Sequence, residues 1–149
     1  MIEIPLRRLD WDDAGERLAL PARIRQGDAA ADLPSRVDAE LAPGERMLVP
    51  TGFAIAIPVG MCGLVLPRSG LALDHGVTVL NAPGLIDSGY RGEIRVILAN
   101  TSTETVTIER GQRIAQLLVL GVDALTLVEV GELPPAPDDR GTDGFGSSG

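Results

Sequence analysis

Eighteen glycines and eleven prolines interrupt this 149-residue chain at short intervals. Between them lie brief apolar segments at 47–49, 53–57, 63–66, 77–80, 93–99, 105–108, 114–120 and 125–130, several rich in Val and Ile. Segments this short cannot hold an amphipathic helix, whereas β-branched runs separated by turn formers every 10 residues or so read as the strands of a sandwich or barrel. The expected class is all-β, a jelly-roll-like barrel or sandwich with little helix. A chain of this length buries roughly 70% of its unfolded surface, enough for one core and one domain.

One helix is expected, in Ser69-Gly70-Leu71-Ala72-Leu73-Asp74-His75-Gly76. Ser69 is placed to cap its N-terminus and Gly76 to end it. His75 then falls in the last turn, where a partial positive charge is favoured. A second landmark is Ala82-Pro83-Gly84-Leu85, whose Pro and Gly fit a type II turn. Asp87-Ser88-Gly89-Tyr90 follows as another turn signal. With 77–80 and 93–99 as flanking antiparallel strands, the result is a wide hairpin loop carrying Asn81, Asp87, Tyr90 and Arg91. From Pro134 onward the composition turns to Pro, Gly and Ser, so the chain divides into a β domain over 1–137 and a glycine-rich arm over 138–149 that is expected to be mobile.

Composition removes several chemistries. One cysteine, Cys62, forbids an intrachain disulfide, and one histidine, His75, leaves no set of four ligands for structural zinc. The same shortage excludes the zinc cluster of nucleobase deaminases. Cys62, between two glycines, reads as a small packing residue. A net charge of −8 argues against a general nucleic-acid binder. No apolar run is long enough for a membrane helix, and the first 30 residues lack a signal-peptide core, so the cytoplasm is the expected compartment.

What remains is anion chemistry at local sites. Arg68-Ser69-Gly70 combines a planar guanidinium with the free amides of a helix start, a setting for phosphate oxygens. The tail 140–149 sets one arginine and one aromatic among glycines and serines, without the lysine of a P-loop. Two such segments around an acidic hairpin suggest a polyphosphate ligand, with Asp87 as a general base and Asp32 as a partner for a cation. Hard oxygens together with substrate phosphates are the usual setting for Mg²⁺.

Five ordered segments resemble the motifs of the trimeric dUTPases: Gly27 to Leu33, Pro67 to Ala72, Asn81 to Glu93, Arg110 to Leu117, and Arg140 to Gly149. The resemblance implies hydrolysis of dUTP to dUMP and pyrophosphate, which keeps uracil out of DNA and supplies dUMP for thymidylate synthesis. It implies that Asp87 activates the attacking water and that Asp32 holds Mg²⁺ through water. It assigns Arg68, Ser69, Gly70 and Gln116 to the phosphates. Asn81 and the backbone of Leu85 and Ile86 would read uracil, and Tyr90 would pack on the sugar and exclude a 2′-hydroxyl. Arg95 would also touch substrate. Arg140 would bind the γ-phosphate, Phe145 would stack on the base, and Ser147 and Ser148 would close on the phosphates. The implied assembly is a homotrimer whose sites are shared between chains, the arm of one closing over another. Three positions depart from the family pattern: Pro34 after the first motif, Gln112 in the fourth and Asp143 in the fifth. A non-catalytic nucleotide sensor on the same fold is one alternative. The other is dCTP deaminase, which carries a catalytic glutamate in the strand after the hairpin. Here that strand has no interior acid.

Overall fold

The computed structural model describes residues 2–9 and 17–137. Arg140, Phe145, Ser147, Ser148 and Asp143 therefore lie outside the described residues, as does the whole arm.

Alternation of apolar and polar side chains writes the strands. In β9 (Arg95–Asn100), Val96 and Leu98 are buried while Arg95 is exposed, and β10 (Val106–Ile108) buries both ends around an exposed threonine. A four-stranded antiparallel sheet runs in the order β2 (Ala31–Pro34), β11 (Arg113–Gly121), β6 (Met61–Leu66), β8 (Gly84–Ile86). A three-stranded sheet runs β4 (Arg46–Pro50), β9, β7 (Val77–Val79). Two ribbons complete the fold, β1 (Leu6–Arg8) with β5 (Phe53–Ile55) and β10 with β3 (Ala39–Leu41). Neighbours distant in sequence, such as β2 beside β11, give a jelly-roll-like sandwich rather than a closed barrel.

The core between the layers includes Leu33, Leu41, Val49, Val96, Leu98, Ile108 and Ile114, all essentially without solvent contact. Each such side chain contributes about 1.5–3 kcal/mol relative to exposure. Asn100 is one of the buried polar residues beside it. Its amide donates to the carbonyls of Leu41 and Glu104, and its oxygen accepts from the Ser102 backbone and hydroxyl, so nothing on it is left unsatisfied.

The one helix among the described residues is α1, Ser69–His75. Gly76 ends it in a left-handed conformation (φ 64°), and His75 closes the last turn. The N-terminal expectation is off by one residue. Arg68 occupies the cap position with extended φ/ψ, Ser69 is the first helical residue, and no side chain caps the turn. The segment 125–130 is also not a strand. It has β-type composition but pairs with nothing among the described residues, and Leu125, Leu127 and Val128 stand exposed. No described helix is long and apolar enough to cross a membrane.

Candidate active site

The hairpin is built as its flanks require: β7 pairs antiparallel with β9, Val79 opposite Leu98. Its tip differs from expectation. Gly84 does not take a positive φ, so no type II turn forms. Instead residues 84–86 become an edge strand on β6, Gly84 opposite Val65. A side chain at Gly84 would press on Asn81 Nδ2 at 3.3 Å and on Val65 Cβ at 3.4 Å, so glycine lets Asn81 lie close over the strand.

This tip encloses a cavity of about 250 Å³ lined by Asn81, Leu85, Ile86, Asp87, Tyr90 and Arg95, with Val65, Val79 and Val96 also in its wall. Six of the expected substrate residues thus meet in one place. Asn81, Leu85 and Asp87 are exposed. Among the described residues the Asp87 carboxylate has no partner; only its backbone carbonyl is used, accepting from Tyr90 N–H at 3.1 Å. Tyr90 donates its hydroxyl to the Glu93 carbonyl at 2.9 Å.

A second cluster forms where β2, β11 and the start of α1 meet. The register sets Gln116 opposite both Asp32 and Leu66, so residues from three strands fall in one row. Asp32 is 8% exposed and its carboxylate is heavily used. Oδ1 accepts from Arg68 Nε at 3.2 Å and Gln116 Nε2 at 3.3 Å, and Oδ2 accepts from Arg113 Nη1 at 2.9 Å. Arg68 also donates to the Arg113 carbonyl at 2.8 Å. Ser69 and Gly70 follow Arg68 directly and are exposed. A further cavity of about 430 Å³ opens beside the row, lined by Asp32, Arg113, Gln116, Arg25 and Asp28 among others.

Arg113 escaped the sequence reading. Its ion pair with Asp32 depends on the register shift between Arg113 and Ala115 that follows Pro34, an irregularity with no sequence signal beyond that proline. Pro34 itself fits because β2 is a sheet edge, where a missing N–H costs little.

As a metal ligand, Asp32 is constrained. A carboxylate offers about four lone-pair sites, and three donors already occupy Asp32. No group of three or more acidic, Cys or His side chains could share an ion among the described residues. The donor set fits a contact through a metal-bound water and not a direct bond.

The two clusters are far apart within one chain. Asp87 follows the β8 end that faces Gly63, while Asp32 lies on β2, three strands across, in a row that meets β6 at Leu66, further along the strand. Strand spacing and rise put them about 20 Å apart.

The sequence profile of the dUTPase family matches residues 16–149. The chain is 56% identical over 146 residues to the deoxyuridine 5′-triphosphate nucleotidohydrolase of Mycolicibacterium gilvum, covering 95% of this chain and 92% of that protein. It is 51% identical to the enzyme of the same name from Thermobifida fusca, covering 99% and 79%. Its fold superposes on the dUTPase of Staphylococcus bacteriophage 80alpha, solved with dUPNHPP, at a TM-score of 0.88 and 26% identity, covering 100% and 99%. Matched by the family profile over 16–149 and by relatives over 79% or more of their own length, this chain belongs to the dUTPase family.

Proposed function

We propose that the protein hydrolyses dUTP to dUMP and pyrophosphate, with Asp87 as the general base. The observation that carries this reading is the exposed, unpartnered Asp87 carboxylate at the rim of a cavity shared with Asn81 and Tyr90. A base must keep a lone pair for the proton it removes. Asp87 takes a proton from water, whose oxygen forms a new bond to the α-phosphorus. The bond from that phosphorus to the oxygen bridging to the β-phosphorus breaks, and pyrophosphate leaves. The rest of the catalysis is positioning and charge stabilisation. Asn81 pairs with the uracil edge beside the Leu85 and Ile86 backbone, Tyr90 packs on the deoxyribose, and Arg95 stands at the cavity wall. Arg68, Ser69, Gly70 and Gln116 bind the phosphates.

The separation of about 20 Å supports a shared site. A separation of that order favours a base and phosphate ligands drawn from different chains, as a homotrimer would supply them. The arm belongs to the same proposal: Arg140 on the γ-phosphate, Phe145 over the base, Ser147 and Ser148 closing. Mg²⁺ supplies charge neutralisation on the phosphates when bound. Asp32 would hold it by accepting a hydrogen bond from one of its waters.

The test is pyrophosphate release from dUTP, measured beside dCTP, dTTP and UTP. Equal yields of dUMP and pyrophosphate, with dUTP strongly preferred, are expected. Tight dUTP binding without turnover would make the protein a sensor, and ammonia from dCTP would make it a deaminase.

A further inference from the structure

Gly92 is exposed, and its backbone lies outside the left-handed region, so its main chain would accept alanine. What excludes a side chain there is Tyr90. A Cβ on Gly92 would overlap the Tyr90 hydroxyl oxygen and stand 2.6 Å from Cζ and 3.0 Å from Cε2. The ring is folded back over the glycine, and its hydroxyl reaches past it to the Glu93 carbonyl at 2.9 Å.

That acceptor is itself fixed. Glu93 Oε1 accepts from the Gly52 N–H at 2.8 Å and lies 3.5 Å from Arg36 Nη1. The next residue, Ile94, donates its N–H to the Phe53 carbonyl at 2.8 Å. The ring is thus pinned at its far end and given its berth by a missing side chain.

We infer that Gly92 is a positioning residue for sugar discrimination: the absence of a Cβ there, with the anchored Glu93 carbonyl, sets the pose in which the Tyr90 ring closes the space beside C2′. This rests on the proposed packing of Tyr90 against the deoxyribose. Alanine at 92 displaces the ring, opens that space and admits a ribonucleotide.

The experiment compares kcat/KM for dUTP and UTP in the full-length protein, Gly92→Ala, Tyr90→Ala and the double variant. Gly92→Ala is expected to lower the dUTP-to-UTP ratio by about tenfold or more, the scale of discrimination by one misplaced group. In the Tyr90→Ala background the same change should have no further effect on the ratio. Tyr90 is the sole tyrosine, so the ring signals of tyrosine-labelled protein report its pose directly. They should shift in Gly92→Ala while the melting temperature holds. An unchanged ratio in Gly92→Ala, with Tyr90→Ala still losing discrimination, would overturn the role of Gly92 and leave that of Tyr90 standing. An equal loss of ratio on adding Gly92→Ala to Tyr90→Ala would also overturn it. Unaltered discrimination in Tyr90→Ala would instead remove the sugar reading on which the inference rests.

Discussion

The hairpin cavity, walled by strands of both sheets, and the Asp32 row on the four-stranded sheet handle polar groups in opposite ways. In the cavity, Asp87 is exposed and uncommitted, held only through the backbone of its turn. In the row, Asp32 is buried and engages Arg68, Arg113 and Gln116. The difference follows from the chemistry. A base acts with a free lone pair, so its partners would compete with its task. Arginines gathered for an anion repel one another and lose hydration, so they need an internal counter-ion to be held in place. Asp32 stands where it can fill that need and hold Arg68 and Gln116 in place, the pair that the proposed function assigns to phosphate.

The largest expected effect separates chemistry from binding. Asp87→Asn keeps the shape of the cavity and loses the proton acceptor, so kcat should fall by about 10²–10⁴ with dUTP affinity retained. Single-turnover assays and equilibrium binding check both halves. Near-normal kcat would mean that the free carboxylate of the hairpin is not the base and would collapse the contrast.

Asp32→Ala should act on the other side of the comparison. Arg68 and Arg113 would lose their common partner, but their side chains are 24% and 48% exposed and can partly rehydrate. The expected stability loss is therefore only about 1–2 kcal/mol, read by denaturant titration. KM for dUTP should rise about tenfold, equivalent to ~1.4 kcal/mol, and more Mg²⁺ should be needed for half-maximal rate. A fall in kcat with unchanged KM would show that the row serves the chemical step instead.

How far each region could be read from sequence differs for the same physical reasons. The hairpin was legible because its signals are local: alternating strands at 77–80 and 93–99, and turn formers between them that gather Asn81, Asp87 and Tyr90. Even there, Gly84 joining β6 depends on a distant strand, Val65 being its partner, which turn rules do not see. The row is long-range. Asp32 and Gln116 were identified by their motifs, but their meeting needs the β2–β11 register, and Arg113 enters only through its irregularity. The short strand β2, with an aspartate and a proline in four residues, has no β signature of its own and exists because β11 pairs with it. The converse holds at 125–130, where β composition without a partner yields no strand among the described residues.

The smallest expected effect lies at Gln112, one of the three positions that depart from the motif pattern. Gln112 Oε1 accepts from the Glu109 N–H at 2.8 Å, and the Gln112 N–H donates to the Glu109 carbonyl at 2.9 Å, closing a turn with Gly111 at φ 85°. The turn is buttoned to Ser35 by two further backbone bonds of 2.8 Å. Glutamine therefore supplies the acceptor that a carboxylate would. Gln112→Glu strengthens that hydrogen bond by charge but sets a second negative group beside Glu109. The two effects oppose, so stability should change by no more than about 0.5 kcal/mol, or about 1–2 °C in Tm for a chain of this size. Gln112→Ala should cost more, since the Glu109 N–H loses its acceptor. The kinetic outcome sharpens the comparison. Gln112 adjoins Arg113, whose carbonyl accepts from Arg68. If the turn only closes the chain, both variants keep KM for dUTP. If KM rises in Gln112→Ala but not in Gln112→Glu, the turn is what aims the arginines, and the charge row extends one residue further than its ion pairs.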